Sequence, residues 1–575
     1  MKKLLNSKYS WLYMLIALIG VNYIASELHY RFDLTKEKRF TLSNSTKSLL
    51  RNLPGKVEIT VFLEGDMPSG FKKLTGSTKE LLQEFKEHGK NNIQFSFSKP
   101  GEGLDDTAKM IFLDSIARMG IKPYTVQVQA KEDEGSDERQ VVPGALISYD
   151  GRATAINLLS GQQSAVLNES VINNTEALLE YNFANSIQKL TKDTVPLVGY
   201  LLGNGETFSP NVTSLINGTL RANYRFSILP IDSVPLIPPF FDVLFIMKPT
   251  QPFTDRQKLK LDQYIMNGGK IVWLIDRLYA EIDSLMRKQS DFVAYDRNLN
   301  LEDLLFKYGV RINPDLVQDL VCDKIPLVVG SIGDQPQMEL VDWFYFPLLS
   351  SASGHPITKG MNQVLSIFPN SIDTIKVPNI TKTILLQTSA NSRKLVTPAM
   401  VSLNSVKTQD DLKTFDKAHI PIAVLLEGKF SSLYSNRLPK STLDSFTDVY
   451  QQPFLSSALL PGKMIVVADA DIATNMYDPQ GGGDLEMGYN KFTQAQYANK
   501  DFILNCIEYL TNSSGILETR SKDYTLRLLD AKKIDSDKNF WQLINIGLPI
   551  ILVLLFGFIF QALRKRKYQN VSRES

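Results

Sequence analysis

Four short polar clusters in this 575-residue chain have the composition from which a site is made, and each follows an apolar run. They are Gly203-Asn204-Gly205-Glu206, Lys248-Pro249, Asp276-Arg277, and Asp469 with Asp471. Carboxylates and an ammonium group hold polar or charged ligands, and glycines let backbone approach them. The plainer reading is that Asp and Gly at strand ends act as turn and cap residues. Gly203-Asn204-Gly205 is not a dinucleotide fingerprint, because Phe208 and Ser209 follow where a third glycine belongs. Asp471, Asp478 and Asp484 lie in an acid-rich stretch to Glu486, but Ala473 breaks calcium-loop spacing, and Gly481-Gly482-Gly483 reads as a mobile loop.

Other chemistry is scarce. His29, His88, His355 and His419 show no metal-ligand spacing with one another or with a cysteine. There is no Gly-x-Ser-x-Gly elbow and no phosphate-cradling loop. A hydrolase needs a nucleophile beside a histidine, which leaves Cys322 or Cys506 with His355 or His419, and neither cysteine follows a strand-to-helix elbow. The two thiols form a disulfide in an oxidising compartment, or Cys506 is a small buried residue on an apolar helical face with Ile503, Ile507 and Leu510. The expectation is a protein that is not an enzyme and carries neither metal nor cofactor.

The four clusters are positioned by the stretch 195–515. Strands are expected at Val195 to Leu202, Phe226 to Pro230, Phe241 to Met247, Lys270 to Ile275, Pro421 to Leu426 and Lys463 to Ala468. Helices fall between them: Asn211 to Ala222, one capped by Thr254 and ending at Asn267-Gly268-Gly269, and a closing one from Asp501 to Leu510. Short apolar strands alternating with helices predict a doubly wound, flavodoxin- or amidotransferase-like parallel sheet, whose ligands dock at the carboxyl ends of the strands. Residues 296–438 read as an irregular insert, with a helix from Leu301 to Tyr308 stopped by Gly309. Its Phe344-Tyr345-Phe346 run is either a contact surface or a small core.

Residues 29–191 read as a smaller α/β domain. A short helix around Leu42 to Leu53 precedes a strand from Lys56 to Leu63. A Ser77 to Glu80 capping box starts a helix ending near Gly89. A strand from Ile93 to Phe97, a helix from Asp105 to Gly120, strands at 124–129, 144–149 and 153–159, and a helix from Ser170 to Leu190 follow. That order suits a thioredoxin-like layout, yet the region has no cysteine, so the fold serves structure or binding. The acid-rich run Lys131 to Gln140 is taken as a solvated loop.

Two apolar segments flank this bulk. Phe540 to Leu563 has no charge and ends on Arg564-Lys565-Arg566-Lys567. Twenty-four helical residues make roughly 36 Å, enough for a ~30 Å hydrocarbon layer. Tyr9 to Ser26, after Lys2, Lys3 and Lys8, is an uncleaved anchor rather than a secretory signal, since Tyr23 spoils the small-residue cleavage pattern before Ala25. Basic residues at the outer end of each span place both termini in the cytoplasm, so that 1–28 comprises a cytoplasmic start and the first span and 564–575 a basic cytoplasmic tail. The bulk, with a connector at 516–539 before the span 540–563, lies on the far side. A net charge of +2 implies no nucleic-acid partner.

Several segments, in order, resemble the GldG family of gliding-motility ABC transporter auxiliary ("substrate-binding") subunits. They are Arg31 to Thr35, Phe40 to Ser43, Leu63-Glu64-Gly65, Val198 to Glu206, Phe241 to Ile246, Asn267 to Lys270, His355 to Thr358, Asn499 to Asn505 and Leu517 to Lys522. The resemblance implies an α/β ectodomain at a bacterial inner membrane, held beside a permease subunit and a separate cytoplasmic ATPase, and a role in surface motility. Engagement of a periplasmic or cell-wall component is a further expectation. The family's Gly-x-Gly-Glu turn often has His where this chain has Asn204, and the family supplies no catalytic residue. A periplasmic saccharide- or peptide-binding module remains the alternative, and a periplasmic hydrolase the weaker one.

Overall fold

The computed structural model describes Leu15 and residues 18–20, 41–65, 67, 69–121, 123–128, 137–159, 169–192, 194–281, 291–332, 335–402, 409–478, 483–511, 515–521 and 531–569. The expected span from Tyr9 to Ser26 lies, but for Leu15 and 18–20, outside the described residues. Residues up to Asp523 form one compact unit and Tyr524–Ser575 a second.

The first unit begins with α1 (Asn44–Arg51), whose N-cap Ser43 side chain accepts the Thr46 N–H. Then come β1 (Val57–Val61), α2 (Ser69–Gly89), β2 (Ile93–Phe97), α3 (Asp106–Arg118), β3 (Tyr124–Val128), β4 (Asp137–Val141), β5 (Gly144–Tyr149), β6 (Arg152–Asn157) and α4 (Glu169–Thr191). One sheet has the order β2-β1-β5-β6. Strand β1 runs parallel to β2 and antiparallel to β5, and β5 antiparallel to β6. Alternation along β1 buries Val57, Ile59 and Val61. Two local expectations are corrected. The helix does not start at Ser77 but eight residues earlier, at Ser69, and the Ser77 hydroxyl donates to Glu176 of α4 (2.8 Å) instead of capping. A Ser-x-x-Glu pattern signals a start only where the preceding turn is not already helical. Part of the expected loop 131–140 is strand, since β4 pairs antiparallel with β3.

The rest of the unit is built on β7 (Leu197–Leu202), β8 (Arg225–Pro230), β9 (Val243–Met247), α5 (Asp255–Met266), β10 (Ile271–Leu274), α6 (Glu302–Tyr308), β11 (Cys322–Ile332), β12 (Gln335–Ser351), β13 (Ile380–Gln387), β14 (Pro421–Gly428), α7 (Lys440–Asp448), β15 (Gly462–Val467) and α8 (Asn499–Thr511). They form a ten-stranded sheet, β11-β12-β13-β14-β15-β10-β9-β7-β8, with the short strand Val364–Leu365 on β12. Only half of it is doubly wound. Strands β8, β7, β9, β10 and β15 are mutually parallel, whereas β14, β13, β12 and β11 pair antiparallel. Strand β14 was expected in the parallel set. It is buried on both faces, and a continuous apolar run reads the same in either direction. Residues 296–438, expected to be irregular, supply all four antiparallel strands.

The sheet is covered on both faces. Val243, Phe245 and Met247 of β9 join one core with Phe502, Ile503 and Cys506 of α8. Leu244 and Ile246 join the other with Leu261 and Ile265 of α5. Helix α5 starts as expected, with a full capping box between Thr254 and Gln257. The expected helix 211–222 is instead a composite of a 3-10 turn, a short α segment and a π-helical stretch, Ile216–Arg221.

The first core also takes in Val57, Phe71 and Phe183, so it runs without a break into the small sheet. At that junction Glu508 of α8 accepts from Tyr181 OH (3.0 Å) and Asn185 Nδ2 (3.2 Å), with Lys189 Nζ at 3.6 Å. Arg520 stacks on the Tyr181 ring at 4.9 Å and donates to Asn505 Oδ1 (2.5 Å). Replacing Glu508 by Ala leaves buried donors unmet. The expected cost is about 2 kcal/mol, read as a lower denaturation midpoint with an unchanged slope.

In the second unit α9 (Ala531–Gln569) contains a 26-residue candidate span, Phe540–Lys565, long and apolar enough to cross a membrane. Pro549 lies inside the helix without ending it.

Candidate functional site

Three of the four sequence clusters converge. Lys248 leaves β9 in the left-handed region (φ 50°), which turns its side chain off the sheet. Asp276 lies just beyond β10, and Asp469 and Asp471 just beyond β15, the latter opening a 3-10 turn to Ala473. Lys248 Nζ lies 2.6 Å from Asp471 Oδ1, 3.2 Å from Asp276 Oδ2 and 3.5 Å from Glu281 Oε1. Two of the carboxylates, Asp276 and Asp469, are also held by backbone, while Asp471 Oδ1 accepts the Thr474 hydroxyl (3.4 Å). Asp276 accepts the Ala470 N–H (2.6 Å), and Asp469 accepts those of Asp471 (2.8 Å) and Ile367 (2.7 Å) as well as the Ser366 hydroxyl.

Ligand atoms of Asp276, Asp469 and Asp471 fall within 4.8 Å of one another, a donor set suited to a hard cation. The ammonium of Lys248 already fills that role for two of them. Metal binding here requires moving the lysine.

The electrostatics follow from burial. Removal from water works against the Lys248 ammonium, but Asp471, Asp276 and Glu281 outweigh it, and the pKa is raised above the usual lysine range. Burial pushes Asp471 up to about 7, with Lys248 pulling down and Asp276 and Glu281 pushing further up. Asp469 is raised well above an ordinary carboxyl by burial and then by the facing Asp276 and Asp471. These groups share one cation among several acids, so protons are retained near neutrality.

The fourth cluster forms a turn of its own at the end of β7. Glu206 Oε2 accepts the N–H groups of Gly203 (2.9 Å) and Asn204 (2.7 Å). Asn204 Nδ2 donates to Pro252 O (3.1 Å) and Gln257 Oε1 (3.0 Å). The glycines serve the turn: Gly205 has φ 73°, and a Cβ there would lie 2.2 Å from Thr250 Oγ1. Asn204 Oδ1 and Glu206 Oε1 are buried with no partner, and burial raises the Glu206 pKa. Among the described residues no hydrogen bond or ion pair joins this turn to the Lys248 cluster.

Sequence reasoning missed Glu281, Ser366 and Ile367, because they come from a loop and from the stretch 296–438 and carry no local signal. It also left Arg277 without a role. Its guanidinium pairs with Asp296 (2.9 Å) and donates to Ile312 O (2.5 Å), and its N–H donates to Asn370 Oδ1 (2.8 Å).

The thiols are free. Cys506 is buried in the first core, its pKa raised well above the thiol range by burial. Burial pushes Cys322 up to about 12, with Asp342, Asp319 and Asp323 adding to it. Neither is poised as a thiolate nucleophile. His355 meets Tyr509 edge-on at 4.7 Å rather than a cysteine.

Residues 195–506 match a family model described as an ABC-type uncharacterized transport system, and residues 36–148 match a domain of unknown function. A curated relative, an uncharacterized protein of Borreliella burgdorferi, is 22% identical over 298 residues, which are 50% of this chain and 52% of the relative. The chain thus spans about half the length of that relative. Among solved structures, the mmIFT52 N-terminal domain aligns over 55% of this chain and 98% of its own at 13% identity, with a TM-score of 0.29, too low to carry an argument.

Proposed function

This chain belongs to the ABC-type transport system auxiliary family, and on that premise we propose that it is a non-enzymatic, membrane-anchored subunit presenting a large ectodomain beside a permease. The observation that carries the reading is the helix Phe540–Lys565, long and apolar enough to cross a membrane, on a chain whose family match occupies the preceding unit. The finer reading is an inner-membrane protein with two spans, one within 1–28 (Tyr9 to Ser26) and one at 540–563, both termini cytoplasmic, and ATP hydrolysed by a separate cytoplasmic ATPase. The resemblance to gliding-motility subunits supports a role in surface motility. The order β2-β1-β5-β6 supports a thioredoxin-like reading of residues 29–191. Burial, which raises the pKa of both thiols, argues against either cysteine as a nucleophile.

Purification of the full-length chain from detergent extract tests the proposal. Recovery together with a permease and an ATPase subunit is expected, and recovery alone would overturn it.

A second reading, a ligand site at the strand ends, is favoured by the two buried unmet acceptors, Asn204 Oδ1 and Glu206 Oε1. Gly203, Asn204, Gly205, Glu206, Lys248, Asp276, Asp469 and Asp471 are its candidate residues. Calorimetric titration with oligosaccharides and short peptides checks it, and any response is expected to vanish in Glu206→Gln and Asp276→Asn.

A further inference from the structure

Two adjoining hollows lie along α5. The larger has a volume of about 380 Å³ and the smaller about 110 Å³. Leu236 and Lys260 line both. Arg256 and Lys260 bound the first, and Lys260, Gln263 and Asn267 the second. Those positions recur every three or four residues, so one face of a single helix floors both hollows. Twelve helical residues span about 18 Å, which makes the pair an elongated trough rather than a round pocket. The opposite wall of the larger hollow is aromatic, with Phe446 of α7 and Tyr450, whose rings meet edge-on at 5.5 Å.

Most polar groups along the trough are engaged. Asp255 pairs with Lys258 (3.2 Å), Lys260 Nζ donates to Ile231 O (2.7 Å), and Gln263 bonds the Leu455 backbone through both ends of its amide. Arg256 differs. It is exposed, and its guanidinium has no hydrogen bond or ion pair among the described residues. The Thr442 hydroxyl on α7, which also lines the larger hollow, is likewise unengaged. Burial lowers the Lys260 pKa and the neighbouring Arg256 lowers it further, with Asp232 acting in the opposite direction.

The geometry points to a binding site for an amphipathic anion, its extended apolar body on Leu236, Phe446 and Tyr450 and its carboxylate or phosphate head on Arg256. A guanidinium takes either head through paired N–H donors. The site stands whether or not the chain assembles with a transporter.

Full-length protein in lipid nanodiscs, dialysed to equilibrium against radiolabelled octanoate with empty nanodiscs as blank, tests this. Octyl phosphate forms a second arm that separates the two heads. Saturable one-to-one binding of either is expected. Arg256→Gln is expected to weaken it about tenfold, as loss of one charge-assisted contact does, and uncharged octanamide should bind no better to wild type than to this variant. Leu259→Trp, which fills the larger hollow from a half-buried position, is expected to abolish binding with melting unchanged. No binding above the blank in either arm, or equal binding by both variants, overturns the proposal.

Discussion

Replacing Lys248 by Met is expected to destabilise the first unit by about 3–5 kcal/mol, the range for removing one partner of a buried ion pair. The methionine is close in volume, so packing changes little and the loss is electrostatic. Without the ammonium at 2.6 Å and 3.2 Å, Asp471 and Asp276 face each other and Asp469 in a largely buried site. The ends of β9, β10 and β15 are joined through these contacts, so the damage falls at the centre of the sheet. Thermal melting of the full-length chain in nanodiscs measures it. The double variant Lys248→Met, Asp471→Asn should regain part of the loss, because it removes one of the stranded charges. A single variant that melts with wild type would show that the cluster is hydrated and screened.

Stability is expected to rise as pH falls from 8 towards 5, opposite to the usual behaviour of a paired carboxylate. Asp471 titrates near 7 in the folded protein against about 3.8 when unfolded. Between those values the folded state binds the extra proton, so its contribution is present below the lower value and is lost as pH rises through the upper one. Its size is on the order of a few kcal/mol. Asp469, raised by the same burial, acts in the same direction. His355 opposes them. Its pKa is lowered by burial, so its contribution grows with rising pH near 6.5. Denaturation midpoints of wild type and Asp471→Asn across pH 5–8 separate the two, since the histidine cancels in the difference. A difference that is flat with pH would refute the assignment.

Much of the secondary structure was legible because its signals are local. Thr254 and Gln257 form the capping box that their spacing suggests, Gly309 ends α6 at φ 106°, and β1 alternates in burial as in sequence. The helix around Ser77 and the composite at 210–221 were misread, since the same residue types also occur inside and beside helices. The site was legible as positions and not as chemistry. Asp276, Asp469 and Asp471 fall at strand ends as expected, but neither Lys248 as the cation shared by Asp276 and Asp471 nor Glu281 and Ser366 as their neighbours could be read from the chain.

By itself the amino-acid order determined where apolar runs stop, which of them can cross a bilayer, and that no cysteine pairs with a histidine in a known catalytic pattern. Those properties depend on neighbours a few residues apart. Strand direction, the antiparallel half of the sheet, the unbroken core between its two parts and the lysine seated among carboxylates were decided only by tertiary structure. Each depends on contacts between residues from 20 to more than 300 positions apart, such as Lys248 with Asp471 and Tyr181 with Glu508, whose partners no local pattern specifies.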